Sequence, residues 1–154
     1  MNKELLHLYI IAEKFCAYQE RSKYEVEKKL KNFNLTPAQL KEILISLEEN
    51  EYLNEERFAK LYTSGKFRIK KWGKIKIASE LRIKKIPQPI IQHALNQINL
   101  NEYKQTIKDL IKKKERQLKK DTDIIRNQKI LRFVLSKGFE SSMIIPLLKE
   151  TIVE

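Results

Sequence analysis

Apolar residues recur along this chain at helical spacing, and the whole pattern recurs about every 51 residues. At that fixed offset Val26, Leu30, Leu35, Leu40, Leu44 and Leu47 correspond to Ile77, Leu81, Ile86, Ile91, Leu95 and Ile98. A weaker third copy sets Leu131, Leu135, Phe139, Ile144 and Leu148 on Ile77, Leu81, Ile86, Ile91 and Leu95, with a slip of one residue around Lys137-Gly138. A fixed period of this length means that one supersecondary unit is reused, each copy burying its apolar face against its neighbours. The expected fold class is all-α, with three tandem three-helix repeats forming an elongated, curved array. The repeats are expected at 1–53, 54–100 and 101–154, with Val26/Ile77/Leu131 and Leu30/Leu81/Leu135 in equivalent buried places.

Start and stop signals divide each repeat. A first helix follows Asn2 and runs to about Tyr18, with Leu5, Leu8, Ile11, Ala12 and Phe15 on one face. Ser22 and Glu25 form a candidate capping box for a second, which ends near Phe33-Asn34. Thr36-Pro37-Ala38-Gln39 opens a third, with Thr as N-cap and Pro where a missing N–H does no harm. Asn54 caps the fourth, and Gly73 stands where Ser22 stood and marks the fifth. Pro87 stands where Thr36 stood and precedes the sixth. Asn99 or Asn101 starts the seventh, Asp121 or Asp123 caps the eighth, and Ser141 or Ser142 caps the last. Gly138 suits a left-handed helix end, and Pro146 should bend the last helix.

Charge sharpens this picture. The net charge is +12, and residues 57–98 carry eleven basic side chains against one acidic residue, Glu80. Residues 1–56 carry 8 basic and 11 acidic side chains, and residues 99–154 carry 13 and 8. The middle repeat is therefore a concentrated positive field, which attracts polyanions: nucleic acid or an acidic protein surface. No apolar run is long enough to span a bilayer, and the N-terminus lacks the pattern of a signal peptide. A single cysteine, Cys16, excludes a disulfide framework and fits a reducing cytoplasm.

Catalytic chemistry finds no support. His7 and His93 lie in different repeats without ligand-spaced partners, so no metal is expected. Three scattered glycines cannot build a phosphate cradle, so no cofactor, no small-molecule substrate and no enzyme activity are expected. The segment Phe67-Arg68-Ile69-Lys70-Lys71-Trp72-Gly73-Lys74-Ile75-Lys76 differs from the rest by mixing cations with two aromatic rings at a helix junction. Arg68, Lys70, Lys71, Lys74 and Lys76 can hold phosphates or carboxylates, and Trp72 can stack on a partner or fill space between repeats. Arg82, Lys84 and Lys85 extend the same region, and the eleven-residue spacing of Lys74 and Lys85 would put both on one helical face. Arg21 occupies the place of Trp72 in the first repeat, and Arg57 opens the basic stretch.

Order and spacing together carry a resemblance. Tyr18, Arg21-Ser22, Glu25-Val26 and Leu30, then Leu44, Leu47 and Tyr52-Leu53-Asn54-Glu55-Glu56-Arg57-Phe58-Ala59 with Tyr62, then Arg68, Gly73, Ile77, Leu81 and Ile86, resemble the RecX family of recombination regulators. The likeness covers roughly residues 10–100, and the third repeat more loosely through Gly138-Phe139. Two positions depart from the family pattern: Asn54-Glu55 replaces an acidic pair, and Lys85-Ile86 replaces Gly-Ile. The resemblance implies a protein that binds the RecA–single-stranded DNA filament and restrains its growth, ATP turnover, strand exchange and stimulation of SOS repressor cleavage. The charge pattern, taken with this expectation, offers Arg21, Arg57 and the middle-repeat cations as partner-binding residues, with single-stranded DNA as a further ligand and no membrane. A basic helical DNA-binding module acting without RecA is the alternative, weakened by the lack of a recognition helix with clustered base-reading side chains.

Overall fold

The computed structural model describes residues 1–153. Among these the chain forms nine α-helices and no strand: α1 (Lys3–Tyr18), α2 (Lys23–Leu30), α3 (Pro37–Glu49), α4 (Glu55–Arg68), α5 (Lys74–Ile83), α6 (Gln88–Asn96), α7 (Leu100–Gln117), α8 (Asp123–Ser136) and α9 (Ser141–Val153). The fold is all-α. Two compact units emerge, one of residues 1–62 with 81–94 and the other of residues 63–80 with 95–154, so α4 and α5 each supply residues to both.

Capping residues set most of these starts. Asn2 accepts the Leu5 amide at 2.8 Å, Asn54 the Arg57 amide at 2.9 Å and Asn99 the Glu102 amide at 3.0 Å. Ser22/Glu25 and Thr36/Gln39 both close full capping boxes. Two expected caps differ. Thr122, rather than Asp121 or Asp123, caps α8, because its hydroxyl reaches the Ile125 amide while Asp123 is already helical. At α9 the backbone carbonyl of Glu140 takes the Met143 and Ile144 amides, so neither Ser141 nor Ser142 stands outside the helix. The α9 helix continues through Pro146 to Val153.

In the first unit, Leu5, Leu8, Tyr9, Ala12 and Cys16 of α1 pack with Val26, Leu30, Ile43, Leu47 and Leu53. Burial pushes the Cys16 thiol up to about 11, Arg21 pulling weakly the other way. In the second unit α7, α8 and α9 pack on one another through Tyr103, Ile107, Ile111, Ile130, Val134, Phe139 and Ile144. Val26, Leu30, Ile77 and Leu81 are all buried, as the first two copies of the pattern require. The third copy needs correction. Ile130 and Val134 are buried, whereas Leu131 is half-buried and Leu135 is 40% exposed. The third copy thus follows the second at a constant offset of 53, from Ile77/Ile130 and Leu81/Val134 through Ile86/Phe139, Ile91/Ile144 and Leu95/Leu148. There is no slip at Lys137-Gly138. The 14 residues of α8 against the 10 of α5 absorb the difference as an extra turn at its N-terminal end.

The same offsets align three left-handed residues. Asn34 (φ 51°), Lys85 (φ 58°) and Gly138 (φ 96°) each close the middle helix of a repeat, and each precedes an apolar residue, Leu35, Ile86 or Phe139. The turn geometry is therefore kept at Lys85 although the side chain there is not glycine. Ile86 donates its amide back to the Leu81 carbonyl at 3.1 Å, the six-to-one bond of a Schellman end. At Gly138 a side chain is excluded by contact as well as by φ: a Cβ would lie 2.3 Å from Lys76 Cβ. The approach comes from the start of α5, whose Gly73 and Ile75 amides donate to the Lys137 and Gly138 carbonyls at 2.8 and 3.0 Å. Gly73 is equally committed, since a Cβ there would meet the Gly138 carbonyl at 2.3 Å.

Candidate interaction surface

The basic residues singled out by sequence divide between the two units. In the second, Arg68, Lys70 and Lys71 are exposed at the end of α4 and the turn after it. Lys71 is left-handed at φ 58°, and the Trp72 amide closes the turn on the Lys66 carbonyl at 3.1 Å. This turns Trp72 back over α4. Its half-buried ring lies between two ammonium groups, Lys66 at 4.9 Å and Lys76 at 4.7 Å from its centroid. Trp72 is thus neither a fully buried spacer nor a free surface ring. Arg68 reaches Glu102 at 3.8 Å, but both are more than half exposed, so the pair contributes little.

Lys74 is tied down differently. Its backbone N–H donates to the Tyr103 hydroxyl at 3.0 Å, and its ammonium lies 5.1 Å from the Tyr103 ring. The Tyr103 hydroxyl in turn donates to Glu140, and its ring stacks against Phe67 and meets Phe139 at a tilt. Burial first, then the Glu140 carboxylate, hold the Tyr103 proton on well beyond the ordinary tyrosine range. The first three amides of this helix start, at Gly73, Lys74 and Ile75, are therefore all occupied by protein acceptors. The exposed side-chain charge of the segment is that of Arg68, Lys70 and Lys71, with Lys66 and Lys76 half-buried beside Trp72.

The first unit holds the remaining residues. Arg21 donates from Nε to the Phe15 carbonyl at 3.1 Å and lays its guanidinium 3.7 Å from the Phe15 ring. At the 51-residue offset Phe15 becomes Lys66 and Arg21 becomes Trp72, so the two repeats make the same cation–ring pair with the partners exchanged. Arg57 is held by Glu20 at 2.6 Å and by the Glu51 carbonyl at 2.9 Å, which makes it a tie within the unit. Arg82 is exposed and donates to Gln88 at 3.3 Å. Lys84 is largely covered and pairs with Glu25 at 3.5 Å. Lys85 lies beyond the end of α5 in the left-handed turn, so it does not continue the Lys74 face as its spacing suggested. Its ammonium sits instead 5.6 Å from the Tyr24 ring.

Sequence reading missed Lys66 and, in the first unit, Phe15, Tyr24, Lys28 and Lys29. Both groups had a legible signal: the repeat alignment of Phe15 with Lys66, and the i, i+4 spacing of Tyr24 and Lys28. Among the described residues no group of three or more His, Cys, Asp or Glu side chains is placed to hold a metal ion. No helix of the described residues is long and apolar enough to cross a membrane.

Comparison with known proteins decides what kind of chain carries this surface. Residues 54–95 match the family model of the second three-helix domain of RecX, and residues 101–146 match that of the third. The chain belongs to the RecX family. It is 29% identical over 143 residues to the regulatory protein RecX of Bacillus cytotoxicus, covering 93% of this chain and 53% of that one. The RecX of a Bacillus cereus strain is 27% identical over the same length, with the same coverage. The chain thus spans about half the length of the curated relatives it matches. A crystal structure of a regulatory protein RecX superposes with a TM-score of 0.87 at 25% identity, over 95% of this chain and 73% of that one. RecX from Lactobacillus salivarius superposes over the full length of both chains with a TM-score of 0.91 at 23% identity, a likeness of fold. RecX is a family of regulatory proteins.

Proposed function

We propose that this chain regulates homologous recombination and DNA repair in the cytoplasm by binding the RecA–single-stranded DNA filament and inhibiting its activity. It does so without catalysis of its own. The reading rests on family membership, and one observation supports its placement: Trp72 set between Lys66 and Lys76, with Arg68, Lys70 and Lys71 exposed beside it. A half-buried ring framed by cations gives a partner an apolar contact within a positive field, the combination that favours an anionic surface with a depression in it. We further propose that the working units are three three-helix repeats, at 1–53, 54–100 and 101–154, and that the middle one supplies most of the contact.

Co-sedimentation with RecA filaments assembled on single-stranded DNA tests this reading. The wild-type chain should pellet with filaments and slow their ATP turnover, and Lys70→Glu/Lys71→Glu/Lys76→Glu should lose both effects while keeping its helical circular dichroism. Matching losses from charge reversal at Lys31 and Lys41 of the first repeat would mean that charge acts only as a diffuse field. Undiminished binding by the triple variant would remove the middle segment from the contact.

A further inference from the structure

The first unit carries a second cationic feature. A concavity of about 310 Å³ is lined by Phe15, Tyr24, Glu25, Lys28, Lys29 and Lys84. Ammonium groups lie against its rings: Lys28 of the lining and Lys85 from beside it are 5.3 and 5.6 Å from the Tyr24 centroid, and Lys29 is 5.4 Å from that of Phe15. With Arg21 on Phe15 and Lys84 on Glu25, five cations lie against side chains that line the concavity, which holds one carboxylate, Glu25. That carboxylate is already engaged. One Glu25 oxygen closes the capping box on the Ser22 amide at 3.0 Å, and the other meets Lys84 at 3.5 Å. Among the described residues Arg21, Lys28, Lys29 and Lys85 have no ion pair.

We infer that this concavity binds the phosphodiester backbone of single-stranded nucleic acid, one nucleotide entering over Phe15 and Tyr24 while Lys28, Lys29 and Lys85 hold the flanking phosphates. Clustering like charges around one opening is unfavourable until a polyanion enters, so the arrangement favours a ligand carrying several anionic groups. Three features point to nucleic acid over an acidic protein. The outer cations are lysines, compact point charges that follow a phosphate chain without the planar fork that suits carboxylates. Lysine is depleted at protein–protein interfaces. The floor is aromatic and half-buried, and the opening is of the size that admits a small ligand rather than a carboxylate alone. The inference deepens the filament reading by assigning the DNA strand a place of its own, but it stands or falls separately on naked DNA.

The test is the anisotropy of a fluorescein-labelled oligothymidylate titrated with the full chain, without RecA, across a range of salt. Lys28→Gln/Lys29→Gln is compared with the wild type and with Lys112→Gln/Lys113→Gln, an exposed pair on α7. Two lost phosphate contacts on a single strand should reduce the slope of log affinity against log salt by about 1.4 and weaken low-salt binding about tenfold. Lys28→Arg/Lys29→Arg should restore binding, and the α7 pair should move the slope much less. Equal losses from the two glutamine pairs overturn the inference. So does competition by polyglutamate as strong as by unlabelled oligothymidylate at equal charge, which would assign the concavity to an acidic protein. If the wild-type chain fails to bind RecA filaments but the oligonucleotide results hold, the filament reading fails and this one remains. If filament binding holds while Lys28→Gln/Lys29→Gln leaves the salt slope unchanged, the reverse applies.

Discussion

Gly138→Ala should be strongly damaging for the addition of a single methyl group. The new Cβ would lie 2.3 Å from Lys76 Cβ and 2.7 Å from Lys76 N, where ordinary contacts begin near 3.4 Å. The φ of 96° adds strain of ~1–2 kcal/mol for a residue with a side chain. Relief requires the turn to move away from α5 by roughly 1 Å, an overpacking cost of ~1–3 kcal/mol. That movement stretches the Gly73 and Ile75 hydrogen bonds, now 2.8 and 3.0 Å, each with a net contribution of ~1 kcal/mol. These effects overlap, and the expected loss is ~3–5 kcal/mol, a large share of a typical domain's stability. Urea unfolding measures it, followed by circular dichroism and by the fluorescence of Trp72, the chain's single tryptophan, which lies in the same unit. The internal control is Gly65→Ala. Gly65 lies inside α4 with nothing within 4 Å of its would-be Cβ, so alanine there should stabilise by ~0.5–1 kcal/mol. A Gly138→Ala protein within about 1 kcal/mol of wild type would refute the close approach of the two turns.

Other outcomes follow from the same packing. Ile130→Ala should cost ~2–5 kcal/mol by thermal melting, and Leu135→Gln should stay within ~1 kcal/mol; the opposite order would restore the register in which Leu135 is core. Tyr103→Phe removes the acceptor of the Lys74 amide and the donor to Glu140, and should cost ~1–3 kcal/mol with little change in far-ultraviolet dichroism. Because burial raises Cys16 from 9.0 to about 11, the unfolded chain loses that proton first as pH rises, and stability should fall across this window. Cys16→Ala should flatten that part of the pH–stability curve; an unchanged slope would place the titration elsewhere.

Much of the fold could be read in advance because local chemistry and periodicity agree. Ser22, Thr36, Asn54 and Asn99 cap the helices that their side chains announce, and Val26, Leu30, Ile77 and Leu81 are buried where the first repeat offset puts them. The third register differs from the expected one because the sequence alone does not separate a leucine from the apolar residue before it. Ile130-Leu131 and Val134-Leu135 are adjacent apolar pairs, and only the packing of α7 and α9 on α8 decides which member faces inward. The α9 cap eluded pattern reading for a different reason: Glu140 takes the first amides through its backbone carbonyl, which leaves no side-chain signature. The basic surface was visible as charge but not as geometry. Arg57 is absorbed by Glu20, thirty-seven residues away in sequence, and the partner exchange between Phe15/Arg21 and Lys66/Trp72 emerges only once the Arg21 side chain and the Trp72 amide are found donating to carbonyls at the same repeat position.

The central claim, that the middle basic segment meets a RecA filament, is tested most directly by the fluorescence of Trp72 itself. Its ring lies between Lys66 and Lys76, and no other tryptophan of this chain contributes. Titration with filaments formed by a tryptophan-free RecA on single-stranded DNA should shift and saturate its emission, and Lys70→Glu/Lys71→Glu/Lys76→Glu should abolish that saturable change. Filaments that bind the chain, as shown by co-sedimentation, yet leave both Trp72 emission and its accessibility to iodide unchanged would contradict the account.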